Sequence, residues 1–167
     1  MKKHILAAIL IALSATAFAQ RPSSDEVAIR LGVQAWFYAR SSSNGQFDFT
    51  RLPAIYRPDL EFTDPVTGKA TTARGLEAYT AILRPLVEQL HKFVAKPGDD
   101  VSVALNGSTA ISTFTFRPQG TYKNGRPVEC AALVSLIWER HDGLWQIARE
   151  QLVPLSPQGP AELATAK

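Results

Sequence analysis

An aspartate followed by a proline is the first feature of this sequence that could carry chemistry. Asp64 lies in the stretch EFTDPVTG, residues 61–68, at the end of a short run that alternates apolar and polar side chains. A carboxylate in such a position can act as a general base if it faces a pocket. Aspartate also favours turns, and the residue before a proline is held extended, so Asp64 could instead only cap its own turn. The sequence leaves both interpretations open.

A second polar set follows the last apolar run of the chain, in the segment WQIAREQ, residues 145–151. Strict alternation along a strand predicts that every second residue shares one face, namely Trp145, Ile147, Arg149 and Gln151. Arg149 and Gln151 cannot act as general bases near neutral pH, but they can bind a carboxylate or a carbonyl group. Arg149 could instead pair across strands with Glu129 or Glu139.

Metal and nucleic-acid chemistry are not expected. The histidines are scattered and Cys130 is the only cysteine, so the chain offers no metal-ligand set and no internal disulfide. When Lys2 and Lys3, which belong to the leader described next, are left out, the chain has 16 basic and 15 acidic side chains. Its net charge is then about +1. No basic run stands out, so the electrostatic footprint of a nucleic-acid-binding protein is lacking.

The first 19 residues have the pattern of a secretory signal peptide. A basic start is followed by an apolar run over residues 5–13 and by Ala17-Phe18-Ala19, a small-x-small cleavage site. A retained anchor is the alternative, although the run is short for a spanning helix. We therefore expect a leader over 1–19, one domain over 20–155 and a loose tail over 156–167. The mature protein is expected in the periplasm or outside the cell, without a membrane segment.

The first half of the mature chain predicts three helices. Ser23 and Glu26 form a capping box before a helix over 24–40, which carries Val27, Leu31, Gln34, Ala35 and Tyr38 at helical spacing. A second helix is predicted over 48–57, before a short strand over 59–63. A third begins near Arg74 and should kink at Pro85.

The second half has the period of strands. Asn106-Gly107, Asn124-Gly125 and Asp142-Gly143 are signals for tight hairpins, because these residues accept positive φ. The runs between them, VSVAL, STAISTFTF, VECAALVSLIWER and LWQIAREQL, predict an antiparallel meander of four strands. Helices followed by such a meander give an α+β fold, and a strongly curved sheet around the helices would leave a cone with an open end.

This order of elements, with the stretch PDLEFTDPVTGKATTARGLEAYTAIL and the ending LIWERHDGLWQIAREQL, resembles the SnoaL-like branch of the NTF2-like superfamily. The resemblance implies a cone of three N-terminal helices packed in a strongly curved antiparallel sheet. It also implies that Asp64-Pro65-Val66 matches the D-P-V triplet of ketosteroid isomerases, whose aspartate shuttles a proton. Their helical tyrosine would fall near Trp36, and Tyr38 is a fraction of a turn away. Their second acid would fall in the run LVSL, where the aliphatic residues cannot replace it and Ser135 is a poor substitute.

The resemblance and the residues together suggest two functions. The first is an exported domain that binds a small, largely apolar molecule in a conical pocket and forms a homodimer through the outer face of the meander. The second is a cofactor-independent isomerase or lyase with Asp64 as its general base. No cofactor and no metal are expected in either case. The residues expected to line the pocket are Tyr38, Tyr56, Tyr79, Arg149 and Gln151.

Overall fold

A computed structural model describes residues 22–41, 47–64 and 71–155 of the 167-residue chain. The predicted signal peptide and the tail over 156–167 lie outside the described residues. The helices are α1 (Ser24–Ala39), α2 (Leu52–Ile55), which follows a 3₁₀ turn (Phe49–Arg51), and α3 (Leu76–Val87). The strands are β1 (Tyr56–Asp64), β2 (Thr71–Arg74), β3 (Leu90–Val94), β4 (Ser102–Asn106), β5 (Thr109–Phe116), β6 (Gln119–Tyr122), β7 (Ala132–His141) and β8 (Leu144–Pro154).

A curved six-stranded sheet in the order β2-β1-β8-β7-β5-β4 forms the body of the α+β fold. The four predicted strands of the meander are present as β4, β5, β7 and β8, and they pair antiparallel. The sheet is nevertheless mixed, because β1 pairs parallel with β8. The sequence did not predict a separate two-stranded sheet, which consists of β3, before the meander, and β6, between β5 and β7 in chain order.

Two of the three predicted hairpins close as expected. Gly107 joins β4 to β5 with φ of 61°, and Asp142-Gly143 joins β7 to β8 with φ of 50° and 82°. The third signal, Asn124-Gly125, makes a turn of a different kind. It follows β6, and Tyr122 donates its backbone N–H to the carbonyl of Arg126 beyond it, so it reverses the chain without joining two full strands.

The helical part differs from the predicted set of three N-terminal helices. The second helix, predicted over 48–57, is a 3₁₀ turn and a single α turn, and Tyr56 already begins β1. The reason is local: Pro58 holds the residue before it extended, so a helix cannot run into it. The third helix comes after β1 and β2, starts at Leu76 and ends at Val87, two residues beyond Pro85.

The first helix buries the face opposite to the one that carries the stripe of Val27, Leu31 and Tyr38. Its cap is as predicted, since the Glu26 N–H donates to Ser23 Oγ at 3.1 Å. The buried residues of α1 are Ile29, Val33, Trp36, Phe37 and Ala39, whereas Val27, Leu31 and Tyr38 are exposed. Gly32 permits this orientation, because a Cβ there would lie 2.6 Å from the Trp138 ring on β7.

Aromatic side chains fill the space between α1 and the sheet. Trp36 makes edge contacts with Phe37, Phe114 and Phe116 at centroid distances of 5.1–5.3 Å.

None of the helices in the described parts of the chain is both long and apolar enough to cross a membrane. The same residues contain no group of three or more His, Cys, Asp or Glu side chains placed to hold a metal ion.

Candidate functional site

Five polar or amphipathic side chains from four elements meet inside the core. They are Trp36 of α1, Arg40 at its C-terminal cap, Tyr56 at the start of β1, Tyr79 of α3 and Glu150 of β8. We call this set the buried polar cluster. Glu150 is 0% exposed and Arg40 7%, so a full ion pair is enclosed in an otherwise apolar interior.

Glu150 is the acceptor at the centre of the cluster. One carboxylate oxygen, Oε2, accepts from Trp36 Nε1 at 2.7 Å and from the Tyr56 hydroxyl. The other, Oε1, accepts from Arg40 Nη2 and, at 3.3 Å, from the Tyr79 hydroxyl. The two phenolic oxygens are 3.0 Å apart. Four donors therefore stabilise one carboxylate, which is how a buried charge is made tolerable.

Arg40 joins the cluster by both its charge and its flat face. Its Nη2 donates to the hydroxyls of Tyr56, at 2.9 Å, and Tyr79. The centre of its guanidinium lies 4.1 Å from the centroid of the Trp36 ring, in a cation–π contact. Arg40 is also the most exposed member of the buried polar cluster, so solvent comes nearest to the cluster at this side chain.

Tyr56 is held as a neutral phenol. Burial raises its pKa well above 10.0, the neighbouring Arg40 charge opposes this shift, and Glu150 adds to it. A neutral phenol in this environment can donate a hydrogen bond but does not act as a base near neutral pH. The cluster therefore offers hydrogen-bond donors around a compensated charge.

Glu150 points inward because β8 contains a β-bulge at Ala148. Trp138 of β7 is opposite Ile147, and its neighbour Ile137 is opposite Arg149, so β8 has one extra residue at this point. A bulge breaks the two-residue period. Ile147 and Glu150 are therefore both buried, and Arg149 and Gln151 are exposed. The expected placement of Arg149 and Gln151 on the face of Ile147 is wrong for this reason.

Arg149 makes its ion pair on the outside of the sheet. Its Nε donates to Glu61 at 2.8 Å, and Arg74 approaches the other oxygen of the same carboxylate at 2.6 Å. The hydrogen bond from Arg149 is the main reason why the pKa of Glu61 is lowered. The partner is thus neither Glu129 nor Glu139, and the latter pairs with Arg57 at 2.8 Å.

Of the remaining predicted residues, Tyr56 and Tyr79 come together, and Tyr38 stays apart. Tyr38 is 65% exposed, and the Arg51 guanidinium lies 4.4 Å from its ring centroid. The cause is the rotation of α1 described above, which turns Trp36 and Arg40 inward instead. Asp64 ends β1, opposite Thr71 of β2, as expected for the backbone. Its side chain lies outside the described residues.

A groove of about 730 Å³ has Tyr56, a member of the buried polar cluster, among its lining residues. Mostly small or apolar residues line it, with three polar side chains among them: Pro53, Tyr56, Pro58, Arg74, Gly75, Leu76, Glu77, Ala78, Ala81 and Gln146. Its volume is in the range of small-molecule sites.

Arg40 and Glu150 were not predicted from the sequence. Arg40 ends the predicted helix beside the serine-rich sequence SSSNG, where a cation normally faces water, and Glu150 lies between two residues expected to face inward. One signal was available: the ordinary alternation of β8 would bury Arg149 next to Ile147, and a bulge was the only way to avoid it. The position of a bulge depends on the neighbouring strands, which the sequence of β8 does not contain.

No protein-family model matches this chain, and no curated protein matches it. Solved structures do. A protein from Novosphingobium aromaticivorans, named as a candidate aromatic ring hydroxylase, is 19% identical over 83% of this chain and 94% of its own, with a TM-score of 0.70. An NTF2-like superfamily protein from Salmonella enterica serovar Typhimurium is 16% identical over 84% and 99%, with a TM-score of 0.66. The chain has an NTF2-like fold.

A third similar structure is a catalyst. The type 2 hexachlorocyclohexane dehydrochlorinase LinA is 16% identical over 80% of this chain and 90% of its own, with a TM-score of 0.63. At such identity the likeness concerns the fold alone, and this fold carries both binding proteins and enzymes. Function must therefore be argued from the buried polar cluster.

Proposed function

We propose that this chain is an exported domain that binds a small, largely apolar molecule inside its curved sheet, with the buried polar cluster at the polar end of the site. The observation that carries the proposal is the enclosed ion pair of Arg40 and Glu150. The signal-peptide pattern of residues 1–19 supports export, and the apolar positions of the outer face support a homodimer.

Stability alone is a poor explanation for the ion pair. Removing two charges from water costs several kcal/mol per ion, and apolar residues of similar volume often stabilise a core as well or better. Trp36, Tyr56 and Tyr79 could pack here without Arg40 and Glu150. An arrangement that brings donors together in an apolar enclosure is instead typical of a ligand site, where a few polar groups orient an apolar molecule.

The chemistry of the cluster suggests which end of a ligand it would meet. Its side chains contribute an arginine, two phenols and an indole N–H, all of which donate hydrogen bonds, while the single carboxylate already accepts from each of them. An oxygen acceptor such as a carbonyl group would compete with Glu150 for these donors, so such a ligand would bind by taking over some of its hydrogen bonds. The aromatic residues next to the cluster, Phe37 and Phe62 among them, suit the apolar remainder.

The experiment is to purify the protein from its native envelope and to identify co-purified small molecules by mass spectrometry. Wild type is compared with Arg40→Met/Glu150→Gln, which removes both buried charges and leaves an amide oxygen as acceptor for Trp36. The matched control is Glu61→Gln/Arg149→Met, which removes an ion pair from the outer surface. We expect the same small molecule to co-purify with wild type and with the control. The cluster variant should bind it at least tenfold more weakly, a loss of roughly 1.4 kcal/mol in binding free energy.

The circular dichroism and thermal unfolding of each variant establish that it is folded. Retention of the molecule by the folded cluster variant would contradict the proposal, as would its loss from the surface control. The same preparation tests export, since N-terminal sequencing should give Gln20 as the first residue.

A further inference from the structure

The strand β4 (Ser102–Asn106) is one edge of the six-stranded sheet, and within the described residues it pairs only with β5. An edge strand presents unpaired backbone groups, which proteins usually protect with lysines, prolines, bulges or a covering element. The sequence of β4, SVALN, has no charge and no proline, and its register with β5 is unbroken over five pairs. All its residues except Val103 are exposed.

The hairpin fixes which backbone groups of β4 face outward. The loop Gly107-Ser108 has two residues, so the closing pair, Asn106 with Thr109, exchanges hydrogen bonds, and every second pair does the same. The N–H and C=O groups of Val103 and Leu105 therefore point away from β5. Just before the strand, the outward carbonyl of Val101 accepts from Arg30 of α1 at 3.0 Å.

We propose that a second copy of this chain pairs with this edge, antiparallel, with β4 against β4 and the two-fold axis at Ala104. In this register Val103 of one copy faces Leu105 of the other, and the two such pairs use all the outward backbone groups of both residues. Four hydrogen bonds form, and the two sheets become one continuous sheet.

The side chains of β4 fit their own copies in this register. Val103 and Leu105 share the inner side of the sheet with the buried Ala110 and Ser112, their partners on β5. Across the new ladder each would meet the other, which covers Leu105, now 40% exposed. On the outer side Ala104 meets Ala104, and the polar Ser102 meets Asn106.

Charge also favours a second copy as the occupant. The nearest acidic residues, Asp99 and Asp100, lie before the strand, so the antiparallel arrangement places the acidic ends of the two copies at opposite ends of the ladder. No like charges oppose each other within the five residues of β4. A charged partner strand would gain nothing from this edge, whereas an uncharged one with the same sequence matches it at every position.

The test places charges on the proposed two-fold axis. All proteins are the exported form and carry Leu133→Lys, which removes any association through the outer face of β7. The parent should be a dimer by light scattering. Ala104→Lys and Ala104→Glu should each be monomeric, because like charges would be directly opposite, and an equimolar mixture should recover the dimer with affinity roughly tenfold or more above either variant alone. Thermal unfolding establishes that each variant is folded. Because Ala104 is exposed, we expect both substitutions to leave the fold intact.

A monomeric parent would overturn the proposal. So would a dimer that neither charge disrupts, or a failure of the mixture to recover the dimer. If proteolysis mapping shows the segment 156–167 of the same chain, or an extended segment of another protein, on this edge, the occupant is that segment and the proposal is wrong.

Discussion

Arg40 and Glu150, 110 positions apart in the sequence, form an ion pair in the interior of the protein. The pair joins the C-terminal end of α1 to β8 at the point where β8 bulges. Tyr56 and Tyr79 bring β1 and α3 to the same place, so the cluster connects four elements. Its energy therefore depends on all five side chains together.

Replacing one partner should cost far more than replacing both. Arg40→Met leaves the Glu150 carboxylate buried without its counter-charge, and we expect a loss of about 3–5 kcal/mol in the free energy of unfolding. Arg40→Met/Glu150→Gln should recover at least ~2 kcal/mol of this, since no buried charge remains. Urea denaturation of the two variants and Glu150→Gln gives the coupling energy. The surface pair is the control: Glu61→Gln/Arg149→Met should change stability by less than about 1 kcal/mol. Additive effects at Arg40 and Glu150 would show that the pair is not energetically coupled.

We predict that the protein loses stability at high pH because of the buried Tyr56 phenol. Its pKa is raised in the folded protein, mainly by burial, so the phenol remains protonated there while the unfolded chain deprotonates above pH 10. The contribution of this phenol to the free energy of unfolding is fully present below pH 10. It is lost as pH rises from 10 toward the folded-state pKa, by up to about 1.4 kcal/mol per pH unit. Denaturation at pH 9, 10 and 11 should show a weaker pH dependence in Tyr56→Phe than in wild type. Equal slopes would contradict the assigned environment.

The sequence predicted the elements better than it predicted their faces. The turns at Gly107 and Gly143 need positive φ, and this requirement is local, so the meander could be derived. The face of α1 could not, because Val27, Leu31 and Tyr38 form one stripe at helical spacing, and Ile29, Val33 and Trp36 form another. Which stripe is buried depends on the Trp138 ring, which contacts Gly32 from a strand more than a hundred residues later.

At the candidate site, too, the sequence predicted the strands and helices better than the faces on which their side chains lie. Tyr56 and Tyr79 were predicted as pocket residues and are together in the cluster. Arg149 and Gln151 were placed by alternation, which one bulge residue reverses. The parallel pairing of β1 with β8 was equally out of reach, because such a pairing is set by the path of the whole chain and not by either strand.

Gly120 should tolerate no side chain. A Cβ at this position of β6 would lie 2.1 Å from the Lys92 carbonyl oxygen of β3, and a backbone atom paired in a sheet cannot easily move. We expect Gly120→Ala to destabilise the protein by about 1–3 kcal/mol, as other overpacked sites do. Gly98→Ala is the matched control, because its new Cβ would meet the end of the Asp100 side chain at 3.0 Å and no backbone atom closer than 4.0 Å. A thermal midpoint for Gly120→Ala equal to that of the control would contradict the close approach.

Association through the outer face should depend on Leu133. Ile111, Leu133 and Val153 are exposed on this face, on β5, β7 and β8. A lysine in the middle of such a patch would be buried without a partner. Because we also expect copies to pair through β4, Leu133→Lys should halve the mass measured by light scattering at micromolar concentration, from a tetramer to the dimer joined at β4. Leu144→Lys is the control, because Leu144 is at the β7–β8 turn and even more exposed. An unchanged mass for Leu133→Lys would show that copies do not pair through this face.

Asp64→Asn separates binding from turnover. The change keeps the size and the turn preference of the residue and removes only the ability to accept a proton. If the chain binds its ligand without catalysis, as we propose, affinity for the molecule recovered from the envelope should change by less than about fivefold, roughly 1 kcal/mol. The measurement is titration calorimetry with that molecule, together with mass spectrometry of the ligand before and after incubation. Loss of a proton-transfer or elimination product in the variant, where wild type forms one, would instead identify Asp64 as the base of an isomerase or lyase. Tyr79→Phe is the comparison that separates binding from turnover. This change removes a donor from the buried polar cluster, so it should weaken binding whether or not Asp64 takes part in chemistry.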